Sequence, residues 1–402
     1  MVLPQSHRGN FQIVNARRQH QFFCYTIEGL NSFATVLYFN YLYFFLRDRF
    51  GFSDGKNLLV AALLGLIYAL AAWQGGRFAQ RRGNFPALKI GFVIMIVSWL
   101  VAAKSISAAG QIFGAVFVSS GMCLTWPVLE ALVSEGELPG HIPHAVGLYN
   151  ITWAVTNAFA FFIGGTLIEK FGYRAIFYLP PAIVLVQLAL TFWLEKIRLS
   201  AVEKNSVPQT GERKTVPAAC AENFRRMAWL SNPFAYIGIQ TLVAVLPGIA
   251  AKFHLSTSLA GFVCSLWCFA RFFAFIVLWR WAGWHYRFRW LALAFALLIS
   301  SFAVILVAPS LAVVLAAQIF FGAAIGLIYY SSLFYSMDAS ETKSEHGGIH
   351  EAAIGLGNFL GPAAGAAALW LAPQNAAAGA WAVSGLLAAG FGGLFWLRKS
   401  AK

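Results

Sequence analysis

Long apolar runs alternate with short polar segments along almost the whole chain. An α-helix needs about 20 mostly apolar residues to cross the hydrocarbon core of a bilayer. Twelve runs have about this length, so the pattern predicts an all-α integral membrane protein with twelve transmembrane helices. The predicted spans are 22–46, 57–78, 86–106, 109–134, 144–168, 174–195, 230–252, 256–279, 289–309, 311–337, 346–372 and 376–397.

The composition agrees with this class. Of the 402 residues, 59% are hydrophobic and 11% are charged, and the mean hydropathy is +0.67, whereas a soluble domain has about 25% charged residues. The first twenty residues lack the apolar core and cleavage site of a signal peptide, so no cleavable leader is expected. Neither a phosphate loop nor a nucleophile elbow is visible, and we expect no enzymatic activity and no cofactor.

The positive charge predicts topology rather than nucleic-acid binding. The net charge is +14, and with a cytoplasmic N-terminus 21 of the 29 Lys and Arg residues lie in cytoplasmic segments. Seven lie on the opposite side, and Arg271 lies inside a span. This bias follows the positive-inside rule. Both termini are therefore predicted to be cytoplasmic, in a bacterial inner membrane.

The chain divides into two similar halves. Its only long polar connection falls at the midpoint, with six predicted spans on each side. Shifting the first half by 201 residues places Asn157 on Asn358, within a weak internal repeat. Such a repeat predicts two six-helix bundles related by a pseudo-two-fold axis. The predicted domains are an N-terminal bundle (1–195), a cytoplasmic linker (196–229) and a C-terminal bundle (230–402).

A short loop links this plan to a known family. Members of the major facilitator superfamily carry the motif G-x-x-x-D-R-x-G-R-R/K between spans two and three. The same position here reads GRFAQRRGN, in which Gly76, Arg81 and Gly83 match and Gln80 replaces the aspartate. With its six-plus-six plan and inside linker, the chain resembles this superfamily across the whole architecture.

The resemblance implies that this loop joins the cytoplasmic ends of the two halves. In the family its acidic residue meets the N-terminus of span eleven, and its arginine meets an acid at the end of span four. The matching positions are Gln80, Arg81 and Glu130, with Glu135 as an alternative acid. Gln80 lacks the charge that favours a helix N-terminus, so we expect a weakened gating latch. Alternatively, these arginines simply follow the positive-inside rule.

Ionisable residues inside the predicted spans indicate a proton pathway. A charged side chain at the centre of a membrane helix costs roughly 2.5–3.5 kcal/mol on insertion scales, so such residues usually have a function or a partner. Glu28, Arg271 and Glu351 lie in the cytoplasmic half, where Arg271 could pair with either glutamate, and His350 titrates near neutrality when unperturbed. We predict that these four residues couple transport to protons. A metal site at His346, His350 and Glu351 lacks the H-E-x-x-H order, and no metal is expected.

Polar and aromatic residues repeat with helical spacing on the spans that the resemblance places around a central cavity. Glu28, Asn31 and Tyr38 share one face of span one. Asparagines and tyrosines within a span can also hydrogen-bond one helix to another, and this alternative stays open. The predicted substrate-binding residues are Asn31, Tyr38, Trp126, Asn150, Trp153, Asn157, Gln240, Tyr329, Tyr330 and Asn358.

These features together predict a secondary active transporter that works by alternating access. Amide, hydroxyl and aromatic groups suit a small polar solute such as a sugar or nucleoside, moved by symport with protons, or with sodium instead. Two alternatives remain, an exporter of amphipathic compounds, favoured by 16% aromatic residues, and a non-transporting receptor or scaffold. The expected partners are the solute, the coupling ion and membrane lipid, without nucleic acid, and the protein is expected to be a monomer.

Overall fold

The computed structural model describes residues 5–134, 142–202, 217–338 and 343–399. Within these ranges the chain forms fourteen α-helices and one short 3-10 turn at Ala282–Trp284, with no strand. The helices are α1 (Gln5–Phe50), α2 (Asp54–Arg82), α3 (Asn84–Ala102), α4 (Ala108–Met122), α5 (Trp126–Ser134), α6 (Ile142–Phe171), α7 (Arg174–Val202), α8 (Ala218–Lys252), α9 (Thr257–Cys264), α10 (Leu266–Arg280), α11 (Phe288–Val307), α12 (Leu311–Asp338), α13 (Lys343–Leu371) and α14 (Ala378–Lys399).

These helices confirm the all-α membrane fold. Eleven stretches of the described chain are long and apolar enough to cross a bilayer, with α4–α5 and α9–α10 each forming one stretch. The predicted first span lies inside α1, which is 46 residues long. Polar side chains along α1 lower its hydropathy, so it does not stand out by composition as the other eleven do. Most predicted spans match the helices to within a few residues.

Two spans are broken in the middle, and for the first of them a proline supplies the reason. Pro127 has no N–H to donate to the carbonyl of Cys123, and its ring would clash with that carbonyl in a regular helix. The chain therefore leaves the helix between Met122 and Trp126, where the Thr125 hydroxyl donates to the Met122 carbonyl at 3.0 Å.

The helices on both sides of the central connection are longer than the predicted spans. α7 continues to Val202 and α8 begins at Ala218, so both helices extend into the predicted linker 196–229. Residues 203–216 lie outside the described residues. Hydropathy placed the boundaries where the apolar runs end. A helix can continue beyond that point with polar residues, because its backbone hydrogen bonds do not depend on burial in lipid.

The two halves meet along two pairs of helices. α2 packs against α13, and α6 packs against α9 and α10. The 201-residue shift relates span two to span eight and span five to span eleven, so these two interfaces correspond to each other. The contact between α2 and α13 is close, because a Cβ at Gly65 would overlap the backbone of Asn358 and one at Gly355 the backbone of Ala69. Small residues of this kind allow membrane helices to approach each other.

The same glycine-rich part of α13 also contacts α8. A Cβ at Gly357 would overlap the carbonyl of Pro233, and one at Gly361 would lie about 2.5 Å from the carbonyl oxygen of Ile237. α13 therefore packs closely against both halves of the molecule. In this structure its glycines serve helix packing.

Candidate functional site

A cavity of about 180 Å³ lies between the two halves of the chain. For comparison, an engineered protein cavity of about 150 Å³ binds benzene, so this space suits a solute with about one ring. Eight predicted site residues contribute to its wall: Trp126, Trp153, Asn157, Gln240, Arg271, Tyr329, Glu351 and Asn358. Asn157 and Asn358, which the repeat makes equivalent, both face this space.

Arg271 is the cation of the cavity wall. Its side chain is 3% exposed, and its guanidinium carbon lies 4.5 Å from the ring centre of Trp153 and 4.9 Å from that of Trp267. Among the described residues, neither Nε nor Nη2 has a hydrogen-bond partner. The sequence allowed a pairing of Arg271 with Glu28 or Glu351, but within the described part of the chain no such ion pair forms. The guanidinium packs between two tryptophans instead.

The surroundings of Arg271 compensate its charge only in part. Arginine stays protonated in proteins, and burying one ion costs several kcal/mol. Each cation–π contact contributes about 0.5–2 kcal/mol, and leaving a buried donor without a partner costs about 1–3 kcal/mol. The protein therefore keeps at the cavity wall a positive charge whose hydrogen-bonding capacity it does not use.

Carboxyl groups and one imidazole form a second feature, which we call the acid cluster: Glu28, Glu130, His350 and Glu351. All four side chains are buried. Ligand atoms of Glu130, His350 and Glu351 lie within 4.8 Å of one another, and Glu28 lies within electrostatic range of Glu351. In the described chain no lysine or arginine forms an ion pair with these carboxylates.

Hydroxyl groups surround the acid cluster. The Tyr68 hydroxyl donates to the Glu351 carboxylate, the Tyr329 hydroxyl donates to Glu130 Oε1 at 3.4 Å, and Ser332 Oγ lies 3.4 Å from His350 Nδ1. The spacing of Glu130, His350 and Glu351 would also suit a metal ion, although the sequence predicted no metal site. Since both carboxylates already have hydroxyl donors, we interpret the cluster as a place that holds protons.

Electrostatic repulsion supports this interpretation. Two carboxylates with oxygens within 4.8 Å of each other repel each other by at least roughly 3 kcal/mol at an effective dielectric constant of about 20. With no lysine or arginine paired to them in the described chain, they cannot all remain ionised at low cost, and a shared proton relieves the repulsion. Neither oxygen of Glu28 has a hydrogen-bond partner of good geometry in the described chain, although Tyr149 lies near it.

Tyr329 connects the acid cluster with Arg271. Its ring centre lies 5.1 Å from that of Trp153 and 5.7 Å from that of His350, and its hydroxyl reaches Glu130. Trp153 in turn contacts the Arg271 guanidinium. An uninterrupted series of contacts therefore joins the cation of the cavity to the acids, and the wall of the cavity includes members of both groups.

Four of the predicted substrate-binding residues lie outside the cavity wall. Asn31 donates to the Thr125 hydroxyl at 3.4 Å. Asn150 accepts a hydrogen bond from the Trp153 indole at 3.1 Å, so it positions a cavity residue without lining the cavity. Tyr38 and Tyr330 are buried and pack against aromatic rings, Trp99 and Phe177 around the first, Phe275 and Trp284 around the second.

Several residues of the site were not predicted from the sequence. Trp267 lies four residues before Arg271, on the same face of its helix. This spacing could have predicted their contact from the sequence. Tyr68 and Tyr236 carry no such signal, since each stands alone among apolar residues. The Tyr43 hydroxyl accepts a hydrogen bond from Gln240 at 2.8 Å, across the two halves, which sequence spacing does not reveal.

The predicted gating-latch residues do not come together in this structure. Gln80 and Arg81 are exposed at the end of α2, and Gly76 is buried. Gly83 ends that helix with φ +96°, a conformation that glycine adopts without strain. In the described chain Arg81 forms no ion pair with Glu130, whose carboxylate lies in the acid cluster. The alternative acid, Glu135, lies outside the described residues.

At the opposite end of the helices the two halves are joined by hydrogen bonds. The Glu169 carboxylate accepts from the backbone N–H of Ser258 at 2.8 Å, near the start of α9. The hydroxyls of Thr166 and Ser258 lie 2.6 Å apart. α6 and α9 are therefore connected at the end away from the predicted cytoplasmic side.

Sequence and structure comparisons identify similar proteins. Residues 21–343 match the family described as Major Facilitator Superfamily. The chain is 25% identical over 234 residues to the uncharacterized transporter YycB of Bacillus subtilis, covering 56% of this chain and 54% of that protein. It is 24% identical over 144 residues to the inner membrane transport protein YajR of Escherichia coli, covering 36% and 31%. The matches thus span about half or less of these curated relatives.

Among solved structures, the human organic anion transporter MFSD10 superimposes with a TM-score of 0.69 and 17% identity, covering 94% of this chain and 99% of that one. A bacterial homologue of the human drug peptide transporters PepT1 and PepT2 gives a TM-score of 0.66 at 16% identity, covering 96% and 99%. At these identities the likeness shows the fold alone.

Proposed function

The chain belongs to the major facilitator superfamily, and we propose that it is a secondary active transporter that moves a small polar solute by proton symport. The observation that carries this proposal is the position of Glu351. Its carboxylate lines the cavity between the two halves and also belongs to the acid cluster, which has no lysine or arginine partner among the described residues. Relatives named as transporters support the same activity. The proposal includes a monomer in a bacterial cytoplasmic membrane, with both termini cytoplasmic.

The acid cluster spans the boundary between the halves, which suggests how protons act. Glu28 and Glu130 belong to the first half, and His350 and Glu351 to the second. With a proton in the cluster, the carboxyl groups can hydrogen-bond across the boundary. When the proton leaves, repulsion of roughly 3 kcal/mol favours separation of the halves, which is a factor of about 150 in a two-state equilibrium. Proton binding and release would thus bias alternating access.

Proteoliposomes test this function directly. A pH-sensitive dye is trapped inside, and sugars, nucleosides, amino acids, carboxylates and lipophilic cations are added outside one at a time. At least one solute is expected to acidify the interior, because each solute molecule enters with a proton. Protein-free liposomes are the control. Uptake of a radiolabelled solute without proton movement contradicts symport with protons, and uptake that needs a sodium gradient identifies sodium as the coupling ion.

The gating latch gives a further prediction. Gln80→Asp restores the acid of the family motif, and an acid at the start of a helix is stabilised by about 0.3–1 kcal/mol. We therefore expect a two- to fivefold shift towards the state that is closed on the cytoplasmic side, measured by modification of single cysteines from each side of the membrane. Gln80→Asn introduces a side chain with the shape of aspartate but without its charge. It should leave the ratio of the two conformational states at the wild-type value. An equal ratio in both variants, or a shift to the inward-open state, contradicts the latch.

A further inference from the structure

We propose that the solute of this transporter is a small carboxylate with a ring-sized apolar body, and that its carboxylate binds Arg271. This inference rests on the proposed function, because it names the class of solute that the cavity takes. It also departs from the neutral sugar or nucleoside that the sequence suggested. Three observations carry it: the unused donors of Arg271, the shape and size of the cavity, and the charge balance between Arg271 and the acid cluster.

The unused donors of Arg271 have the geometry of a carboxylate site. Nε and Nη2 form one edge of the guanidinium, and neither has a hydrogen-bond partner in the described chain. A carboxylate meets such an edge with two parallel hydrogen bonds. Trp153 and Trp267 contact the guanidinium, whose carbon lies 4.5 and 4.9 Å from their ring centres, while Nε and Nη2 keep their hydrogen-bonding capacity for a ligand. A neutral hydroxyl or amide would leave the charge without a counter-charge.

The rest of the cavity wall indicates the size and polarity of the other end of the solute. Its volume is about 180 Å³, and aromatic and aliphatic side chains of Phe39, Tyr236, Ile239 and Val243 form part of its wall. A cavity of about 150 Å³ accommodates a benzene ring. A single flat ring bearing one carboxylate therefore fits this space.

The charge balance explains why such an anion would travel with a proton. Arg271 and Glu351 both line the cavity. When the acid cluster is deprotonated, its negative charge opposes a second negative charge entering nearby. When the cluster holds its protons, Arg271 alone remains charged, and a monoanion neutralises it. The anion and the proton therefore favour each other's binding, and the loaded cavity carries no net charge through the membrane.

Binding to the purified full-length protein in detergent tests this inference, with three probes of nearly equal shape: benzoate, benzamide and benzylamine. Cyclohexanecarboxylate and nicotinate are included so that the test of the carboxylate class does not depend on the phenyl ring of benzoate. A ligand that binds the folded state raises the thermal unfolding midpoint. The carboxylates are expected to raise it, and benzamide and benzylamine to leave it unchanged. Equal stabilisation by benzamide, or none by any of the three carboxylates, overturns the proposal.

Variants of Arg271 supply the second part of the test. Arg271→Gln should weaken the apparent affinity for benzoate at least about tenfold, since hydrogen bonds to a charged group are lost. Arg271→Lys keeps the charge but loses the pair of parallel donors that Nε and Nη2 provide. It should give an affinity between those of the wild type and Arg271→Gln. Arg280→Gln is the matched control, on the same helix but exposed, and should bind benzoate as the wild type does. Unchanged benzoate affinity in Arg271→Gln overturns the assignment of Arg271.

Two further readouts keep the outcomes distinct. Without ligand, Arg271→Gln should unfold at or above the wild-type temperature, because it removes a buried charge that no carboxylate offsets. A misfolded variant is thereby recognised. Binding is measured at equilibrium without a proton gradient, so its failure leaves the proposed transport untouched. A failure of solute-driven proton movement likewise leaves a positive binding result standing.

Discussion

Replacing Glu351 by glutamine is expected to abolish accumulation of solute driven by a pH gradient, while exchange at equal concentrations continues. Glutamine is uncharged, as the protonated acid is, so the loaded carrier can still reorient. It cannot release a proton, so a pH gradient no longer supplies energy. The measurement is uptake into proteoliposomes with an imposed pH gradient, followed by exchange of labelled solute at equal concentrations on both sides. We expect accumulation to fall at least about tenfold, and exchange to change by less than about threefold.

Other glutamates of the chain provide comparisons for this experiment. Glu28→Gln should lower accumulation in the same way, since Glu28 belongs to the acid cluster. Glu222→Gln is the control, because Glu222 lies near the start of α8 and pairs with Arg225 and Arg226 away from the cavity. If Glu28→Gln and Glu351→Gln both accumulate solute at wild-type levels, protons do not couple through these residues. A uniporter or a sodium-coupled carrier would then explain the protein better.

Replacing Gly65 by valine is expected to cause a large loss of stability at the boundary between the halves. The new side chain would overlap the backbone of Asn358, and backbone cannot move aside as a flexible side chain does. Overpacking of this kind costs about 1–3 kcal/mol. The separation of α2 from α13 would also move Glu351 away from Tyr68. We expect a clear drop in the thermal unfolding midpoint of the purified protein, together with loss of transport.

The control for this prediction is Gly385→Val in α14. Apart from its chain neighbours and the backbone of its own helix, no atom of the described chain lies within 4 Å of the position that a Cβ would occupy at Gly385. Valine has the same helix propensity at both sites, so a difference between the variants reports helix packing. Equal unfolding midpoints for the two variants would show that α2 and α13 can separate at little cost, contrary to the close packing in the structure.

The number and helical type of the membrane spans followed from the sequence. In lipid a backbone must satisfy its own hydrogen bonds, which leaves helices of about 20 apolar residues as the simplest solution. Hydropathy therefore located the spans, and Pro127 is the physical reason for the break in span four. The internal repeat placed Asn157 and Asn358 at related positions, and both line the cavity. Helix ends predicted from hydropathy were least accurate beside the linker, because polar residues can continue a helix beyond the membrane.

Sequence spacing was also sufficient to identify the ionisable residues of the site, but not their partners. Glu130 lies near the end of span four, and the family motif suggested Arg81 as its partner. The structure places it beside His350 and Glu351 instead. Arg271, for which a glutamate was expected, lies between two tryptophans.

By itself, then, the sequence determined the membrane class, the twelve spans and the set of buried charges, because hydrophobicity and helical period are properties of one segment at a time. The tertiary structure alone decided that Tyr68 reaches Glu351, that Trp267 covers Arg271, and that the acids gather in one cluster. Those contacts depend on how far each helix is rotated and how closely it approaches its neighbours. Close contacts such as that of Gly65 with α13 set both quantities, and they join segments almost 300 residues apart in the chain.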